Sequence, residues 1–349
     1  MPAARFSVAL TADFYDQTGA LKFKDIGLEV LEGQPHIDRF VLAEHRPHLD
    51  PDQVRRAHGV VVLTPQVTAR TFSGNPDLLA IGRFGVGYDS VDVDACTRAD
   101  VVLYITAGAV NRSVAEATIG WMIALTHHTL VKDRLVRQLQ WNERAKYMGK
   151  DLRGRTFGAV GLGGIARETL RLLAPFGMDP PIAHDPFVAQ AAAREIGVEL
   201  VDLPELMKRA DFVSIHCPLT DQTRGLIGQK ELALMKPGAY LINTARGNIV
   251  DEAALYQALK HNRIAGAAID CFATEPVTAP HPFAELDNVL LAPHSIAWTD
   301  ELFRDIGRAV CQGMVALSLG RKPRGVVNTE VFDRPGFQEK WARLRLGGS

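Results

Sequence analysis

The chain has 349 residues, 47% hydrophobic and 23% charged, with a formal net charge of −1; at roughly 150 residues per domain this leaves room for two ordinary globular domains. The near-neutral balance argues against a general nucleic-acid or membrane surface, and neither partner is expected. No apolar run approaches the roughly 18 residues of a membrane span, the first apolar stretch is too short for a secretory signal, and Cys96, Cys217, Cys271 and Cys311 form no CxxC pair, so reduced thiols and a cytoplasmic location are expected.

The chain opens on an apolar strand, Phe6–Leu10. Strand-like runs follow at 60–63, 79–82 and 101–105, each preceded by polar, helix-compatible sequence, as βαβ units require. A long helical signal then covers about 113–148. Its first part, 114–125, is apolar nearly all round. Such a helix is buried on both sides, under a sheet or against a second subunit. His127-His128 reads as a helix-surface pair, and the eleven histidines show no HxxxH or HExxH spacing, so no metal is expected.

From Arg155 the pattern alternates strictly. Apolar strands at 156–160, 181–184, 212–216, 239–243, 265–269 and Val289–Leu291, with helices between them, make a doubly wound sheet. Pro180 and Pro181 stand at the entry of the second, where proline is tolerated. A helix at 300–319 follows, and then a basic tail, 332–349, that has no partner in the pattern. The expected fold is α/β with two domains, each a doubly wound parallel sheet. Residues 1–106 and 298–331 make a discontinuous, flavodoxin-like substrate domain; 107–297 make a Rossmann dinucleotide-binding domain inserted in it. The cleft between them is the natural place for chemistry.

Between the strand at 156–160 and its helix lies Gly161-Leu162-Gly163-Gly164-Ile165-Ala166. Such a turn lets the backbone approach a pyrophosphate and aims a helix N-terminus at it. Alone, it is as often an ordinary βα loop. Here a strand precedes, a helix follows, and Asp185 ends the next strand 22 positions beyond Gly163, where an adenosine ribose 2′-OH is held. By itself Asp185 could merely cap a turn with Pro186. Pro186, Phe187 and Val188 offer no cation for a 2′-phosphate, so NAD is expected rather than NADP.

Three polar residues stand beyond the carboxyl ends of late strands, which line the ligand crevice of an open α/β sheet. They are Arg246, Glu275 and His294. Reducing a 2-oxo acid needs a forked cation for the carboxylate and carbonyl oxygens, which Arg246 supplies. It needs a proton donor near neutral pH, which His294 supplies. A carboxylate beside that histidine stabilises the imidazolium, which suits Glu275. Singly, each has an ordinary reading as a surface ion pair, a loop carboxylate or a loop histidine; their order on successive strand ends favours the catalytic one.

The motifs Gly85-Val86-Gly87-Tyr88-Asp89, Asn111-Arg112-Ser113-Val114-Ala115-Glu116, Gly161-Leu162-Gly163-Gly164-Ile165, His216-Cys217-Pro218-Leu219-Thr220, Asn243-Thr244-Ala245-Arg246-Gly247, Asp270 to Pro276, and Pro293-His294 resemble the D-isomer-specific 2-hydroxyacid dehydrogenase family over about 50–300. The resemblance implies that Arg246 binds substrate, that His294 is the acid/base and that Glu275 supports it. It implies that backbone amides near Val86 and Gly87 receive the substrate carboxylate. It places Gly161, Gly163, Gly164 and Ile165 at the pyrophosphate, Asp185 at the ribose and Asp270 at the nicotinamide amide, with Cys217, Pro218, Thr223, Thr244 and Ala245 lining the cofactor. Trp298 either roofs the substrate pocket or packs between domains. Two departures stand out. Ala166 replaces a third glycine, and Gly164 stands where many relatives carry arginine, which leaves backbone amides, with Arg167 nearby, to meet the pyrophosphate.

The resulting reading is an NAD-dependent enzyme, expected as a homodimer, that interconverts a small D-2-hydroxy acid and its 2-oxo acid. Within enzymes, a formate- or phosphite-type dehydrogenase on the same fold is an alternative; the carboxylate of Glu275 weakens the formate type, which resembles a glutamine partner there. Outside enzymes, the alternative is an NAD-sensing corepressor or scaffold with vestigial catalysis.

Overall fold

A computed structural model describes residues 5–345. The chain divides into two compact units, 5–110 with 298–345 and 111–297.

The first unit is built on five parallel strands, β1 (Phe6–Leu10), β2 (Ile37–Val41), β3 (Gly59–Val62), β4 (Ala80–Arg83) and β5 (Val102–Ile105). Their order is β2-β1-β3-β4-β5, a doubly wound order whose winding reverses between β1 and β3. Every residue of β3 is buried, as in a strand covered on both faces. β2 is not among the expected strands. It lies at the sheet edge, only Ile37 is buried, and Asp38 and Arg39 break its apolar run. The helix Asp300–Ser318 belongs to this unit and is tied to β5 by the Tyr104 hydroxyl, which donates to the Val310 carbonyl at 2.7 Å.

The segment expected as an unpartnered tail from 332 folds into this unit instead. A helix, Pro335–Leu344, follows a 3-10 turn at Thr329–Asp333. Phe337 is fully buried, and the Trp341 indole N–H donates to the Leu317 carbonyl at 2.8 Å. The Lys340 ammonium is buried and donates to the carbonyls of Leu78, Ala99 and Asp100 at 2.9, 3.1 and 2.8 Å. The basic composition hid a helix whose buried face is aromatic and whose one buried cation meets three carbonyl acceptors. Residues 346–349 of that tail lie outside the described residues.

The second unit carries seven parallel strands, β6 (Phe157–Val160), β7 (Ile182–His184), β8 (Glu199–Leu200), β9 (Phe212–Ile215), β10 (Tyr240–Asn243), β11 (Gly266–Ile269) and β12 (Val289–Leu291). Their order is β12-β11-β10-β9-β6-β7-β8. The expected sheet has six strands; β8 adds a seventh at the edge, too short to carry a period. Winding reverses between β6 and β9, so the crevice for a ligand lies beyond their carboxyl ends. One face packs Val213, Leu241 and Ala267 against Leu206, Leu232 and Leu255. The other packs Phe157, Phe212 and Tyr240 against Ile119, Met122 and Leu125.

Those last three side chains belong to the helix Asn111–Thr126; one face of the apolar run at 114–125 is buried in the core of its own unit, while Gly120 and Ile123 on the other face are exposed, so the helix is not buried on both sides within the chain. The helix does not continue to 148. Thr126 turns its hydroxyl back onto the Met122 carbonyl at 2.9 Å, a local bond that competes with helix propagation, and His128 adopts a left-handed conformation, φ 53°. A second helix, Thr129–Arg137, and a 3-10 turn, Trp141–Lys146, follow. Among the described residues no helix is long and apolar enough to cross a membrane.

Replacing Lys340 by methionine keeps the aliphatic stem but strips the donor from three carbonyls. A buried polar group left unsatisfied costs about 1–3 kcal/mol. Lys340→Met is therefore expected to lower stability by at least about 2 kcal/mol, read as a lower urea midpoint; an unchanged midpoint would show that the helix is not held in this way.

Candidate active site

The glycine turn begins where β6 ends. Gly161 has φ +95°, a conformation L-residues rarely adopt, and a Cβ there would stand 2.7 Å from the Cys217 amide nitrogen. Only glycine lets the turn run this close to the end of β9. The helix Gly164–Leu173 starts at the N-cap Gly163, which has no side chain to occupy its first amides. Those amides are free to meet an anion. Arg167 is held on the turn itself, donating through Nε to the Leu162 carbonyl at 3.0 Å.

Asp185 sits against the turn. One carboxylate oxygen accepts from the Leu162 amide at 2.8 Å and the other from the Phe187 amide at 2.9 Å. The carboxylate is thus fixed beyond β7, as a ribose acceptor requires. Past β9, His216 is half-buried, and desolvation alone pushes its imidazole down to about 4. Cys217 is half-buried, and burial pushes its thiol up to about 11, so it is not a thiolate nucleophile. Thr223 closes the loop that carries Pro218, donating to the Pro218 carbonyl at 2.6 Å. Past β10, the Thr244 hydroxyl is buried without a partner in the protein, and Ala245 donates its amide to Asn243 Oδ1 at 3.0 Å. A tight glycine turn, uncapped helix amides, a fixed carboxylate and an unsatisfied hydroxyl fit a dinucleotide.

Arg246, Glu275 and His294 all stand in this same unit, on the segments after β10, β11 and β12. Glu275 Oε2 faces His294 Nδ1 at 2.8 Å, and Oε1 accepts from the Phe272 amide at 2.8 Å. Partial burial would raise the Glu275 carboxyl, but the His294 hydrogen bond and the Phe272 amide, with the charges of His294 and Arg246, outweigh it and hold it below the ordinary range. Glu275 is therefore ionised, and Nδ1 of His294 is the protonated nitrogen facing it. The chain at His294 is left-handed, φ 54°. Its amide donates to the Asp270 carbonyl at 2.8 Å, while Asp270 Oδ1 accepts from the Ser295 and Ile296 amides at 2.8 and 3.1 Å. Burial raises the Asp270 carboxyl above its usual range against the pull of those amides.

Val86, Gly87 and Trp298 belong to the other unit. Among the described residues neither the Val86 nor the Gly87 amide donates a backbone hydrogen bond. Trp298 packs edge-on against Phe23 and Phe303, with ring centroids 5.9 and 5.1 Å away.

Two residues of the site were not singled out in the sequence. Asn243 is buried; its side-chain amide donates to the Arg246 carbonyl at 2.8 Å, which sets the Arg246 loop. Asn111, at the start of its helix, lies against the glycine turn: a Cβ on Gly164 would stand 2.5 Å from its Nδ2. The bare Gly164 is what admits that carboxamide. Both residues lie inside quoted motifs, but only the fold brings them to the turn and to Arg246.

Residues 119–295 match the family model described as D-isomer specific 2-hydroxyacid dehydrogenase, NAD binding domain. The chain is 36% identical over 310 residues to a D-3-phosphoglycerate dehydrogenase of Archaeoglobus fulgidus, covering 85% of this chain but 58% of that protein. It is 36% identical to a glyoxylate reductase of Korarchaeum cryptofilum, covering 80% of this chain and 85% of that one. Among solved structures, a glyoxylate reductase from Paecilomyes thermophila superposes with a TM-score of 0.77 at 27% identity, over 94% of this chain and 99% of that one.

Gly161→Ala places a side chain in a conformation that costs an L-residue about 1–2 kcal/mol and into contact with the end of β9. The turn must move, and NADH affinity is expected to fall at least about tenfold. Fluorescence titration of NADH checks this; parental affinity in the variant would remove the turn from the cofactor site.

Proposed function

Because the chain belongs to the D-isomer-specific 2-hydroxyacid dehydrogenase family, we propose that it interconverts a D-2-hydroxy acid and its 2-oxo acid, with NAD as the cofactor. The hydrogen bond of 2.8 Å between His294 Nδ1 and Glu275 Oε2 carries this reading. An ionised Glu275 keeps Nδ1 as the donor, so Nε2 is the atom left to exchange a proton with the substrate oxygen. Arg246 offers the forked cation for the carboxylate and carbonyl oxygens.

The first turn of the helix at Gly164 meets the pyrophosphate, with Gly161 and Gly163 allowing the approach and Ile165 adding its amide. Asp185 holds the ribose, and Asp270 the nicotinamide amide. Cys217, Pro218, Thr223, Thr244 and Ala245 line the cofactor. When bound, the nicotinamide supplies or accepts the hydride. In the reductive direction His294 gives its proton to the substrate oxygen as C2 is reduced; in the oxidative direction it takes that proton back, and Glu275 stabilises the imidazolium in both.

A panel of glyoxylate, hydroxypyruvate, pyruvate and longer 2-oxo acids, assayed with NADH and with NADPH, tests this function. Oxidation of NADH by at least one acid, faster than of NADPH, is expected. Failure with every acid would leave a dinucleotide-binding scaffold in place of an enzyme, and a preference for NADPH would contradict the role given to Asp185. His294→Ala should lose about 10²–10⁴-fold in rate at unchanged NADH affinity.

The assembly we propose is a homodimer. Leu130, Val136, Leu139, Trp141 and Met148 are large apolar side chains exposed along one stretch of the second unit. Apolar surface gathered in this way marks an interaction face, and a second copy of the chain covers it. Leu139, 92% exposed, is the most informative probe. Leu139→Asp should shift the molar mass in solution from dimer to monomer by light scattering; a parental chain that is already monomeric would refute the assembly.

A further inference from the structure

We propose that Cys271, Glu275 and His294 form a binding site for a borderline-soft divalent cation, zinc above all, and that its occupancy blocks proton transfer. One donor atom from each of the three side chains lies within 4.8 Å of the others. The set combines a sulfur, a nitrogen and a carboxylate oxygen. That mixture suits zinc, and three protein donors leave a fourth position for water.

The geometry requires only a small adjustment. Zinc–sulfur bonds of about 2.3 Å and zinc–nitrogen or zinc–oxygen bonds of about 2.0–2.2 Å place tetrahedral donors roughly 3.3–3.8 Å apart. The widest-spaced donors must therefore draw in by about an ångström, while Glu275 Oε2 and His294 Nδ1, 2.8 Å apart, must open by about half an ångström. Glu275 and His294 have partly exposed side chains that can make this movement. Cys271 is buried two residues beyond β11, where its thiol donates to the Ala245 carbonyl at 3.3 Å; it is the fixed point of the set. On binding, the thiol proton leaves for solvent, and the thiolate with the Glu275 carboxylate balances the two positive charges of the ion.

The cation and the reaction compete for the same histidine. A nitrogen of His294 that holds zinc has no lone pair for a proton, and a Glu275 drawn to zinc no longer orients the ring. Binding itself stands on the three side chains alone; the loss of turnover rests on the acid/base role given to His294.

Chelator-treated protein titrated with Zn²⁺ by calorimetry, and with Co²⁺ by absorbance, tests the site. We expect one ion per chain, four-coordinate Co²⁺ bands in the visible and a thiolate-to-cobalt band in the near ultraviolet. Cys271→Ser and Cys271→Val should each lose the thiolate band and weaken zinc at least about tenfold. Absence of stoichiometric zinc, or parental zinc affinity in both variants, overturns the site. With an active substrate in hand, zinc should inhibit and a chelator restore turnover, and each variant should lose that sensitivity relative to its own metal-free rate. Zinc bound with the thiolate band but turnover unaffected would overturn the block on proton transfer and leave the site standing. If no 2-oxo acid is turned over at all, calorimetry and the cobalt spectrum still decide the site.

Discussion

Asp270 is the tie on which the arrangement of the strand-end side chains in the second unit depends. Its amide donates to the Asn243 carbonyl at the end of β10, its carbonyl accepts the His294 amide, and its carboxylate accepts the amides of Ser295 and Ile296. One residue thereby joins the ends of β10, β11 and β12. Hydrogen bonds to a charged group contribute about 1.5–3 kcal/mol each, enough to hold His294 in a left-handed backbone conformation that a non-glycine residue seldom adopts. The place of His294 fixes in turn where Glu275 must stand to meet it. A buried carboxyl whose affinity for protons is raised would be an odd choice for a mere loop brace. Here burial is tolerated because two amides answer one of its oxygens.

The parallel sheet explains why these groups could be found on one edge at all. Every strand of a parallel sheet ends on the same side, so residues scattered over fifty positions are delivered to a single rim. The positions of Arg246, Glu275 and His294 on one rim were legible in the sequence for that reason: each lies within a short loop after an apolar run whose end is easy to see. Gly161 and Asp185 were legible for the same reason, at the ends of β6 and β7. What needed the fold were pairings between segments with no fixed spacing. Asn243 acts on the Arg246 carbonyl, and Asn111 leans on Gly164 from another helix. The donors Cys271, Glu275 and His294 match no metal-ligand spacing, because two loops contribute them.

The misread elements have physical causes of the same kind. β2 and β8 lie at sheet edges, where one side faces solvent and the apolar signal thins. The helix expected to reach 148 ends early because composition says nothing of the left-handed turn at His128. The terminal helix was hidden by its basic residues, although Phe337 and Trp341 fall on one face. Its Lys340 shows how a cation can be core: three carbonyl oxygens stand where a carboxylate partner would otherwise be needed.

That ammonium joins residues from both sides of the inserted second unit, Lys340 with Leu78, Ala99 and Asp100. The order in which the two units can mature during synthesis follows from it. Residues 111–297 leave the ribosome as one uninterrupted stretch and have all their strands once β12 has emerged. The five strands of the first unit are made earlier but lack the helix Asp300–Ser318 and the anchor at Lys340 until the whole second unit has been made. The unit begun first is therefore finished last: Val54 and Cys96 cover one face of its sheet early, while the face that the helix Asp300–Ser318 covers must wait. Domains commonly fold from the N-terminus onward; the inserted second unit reverses that order, and the waiting face is the surface a chaperone would meet.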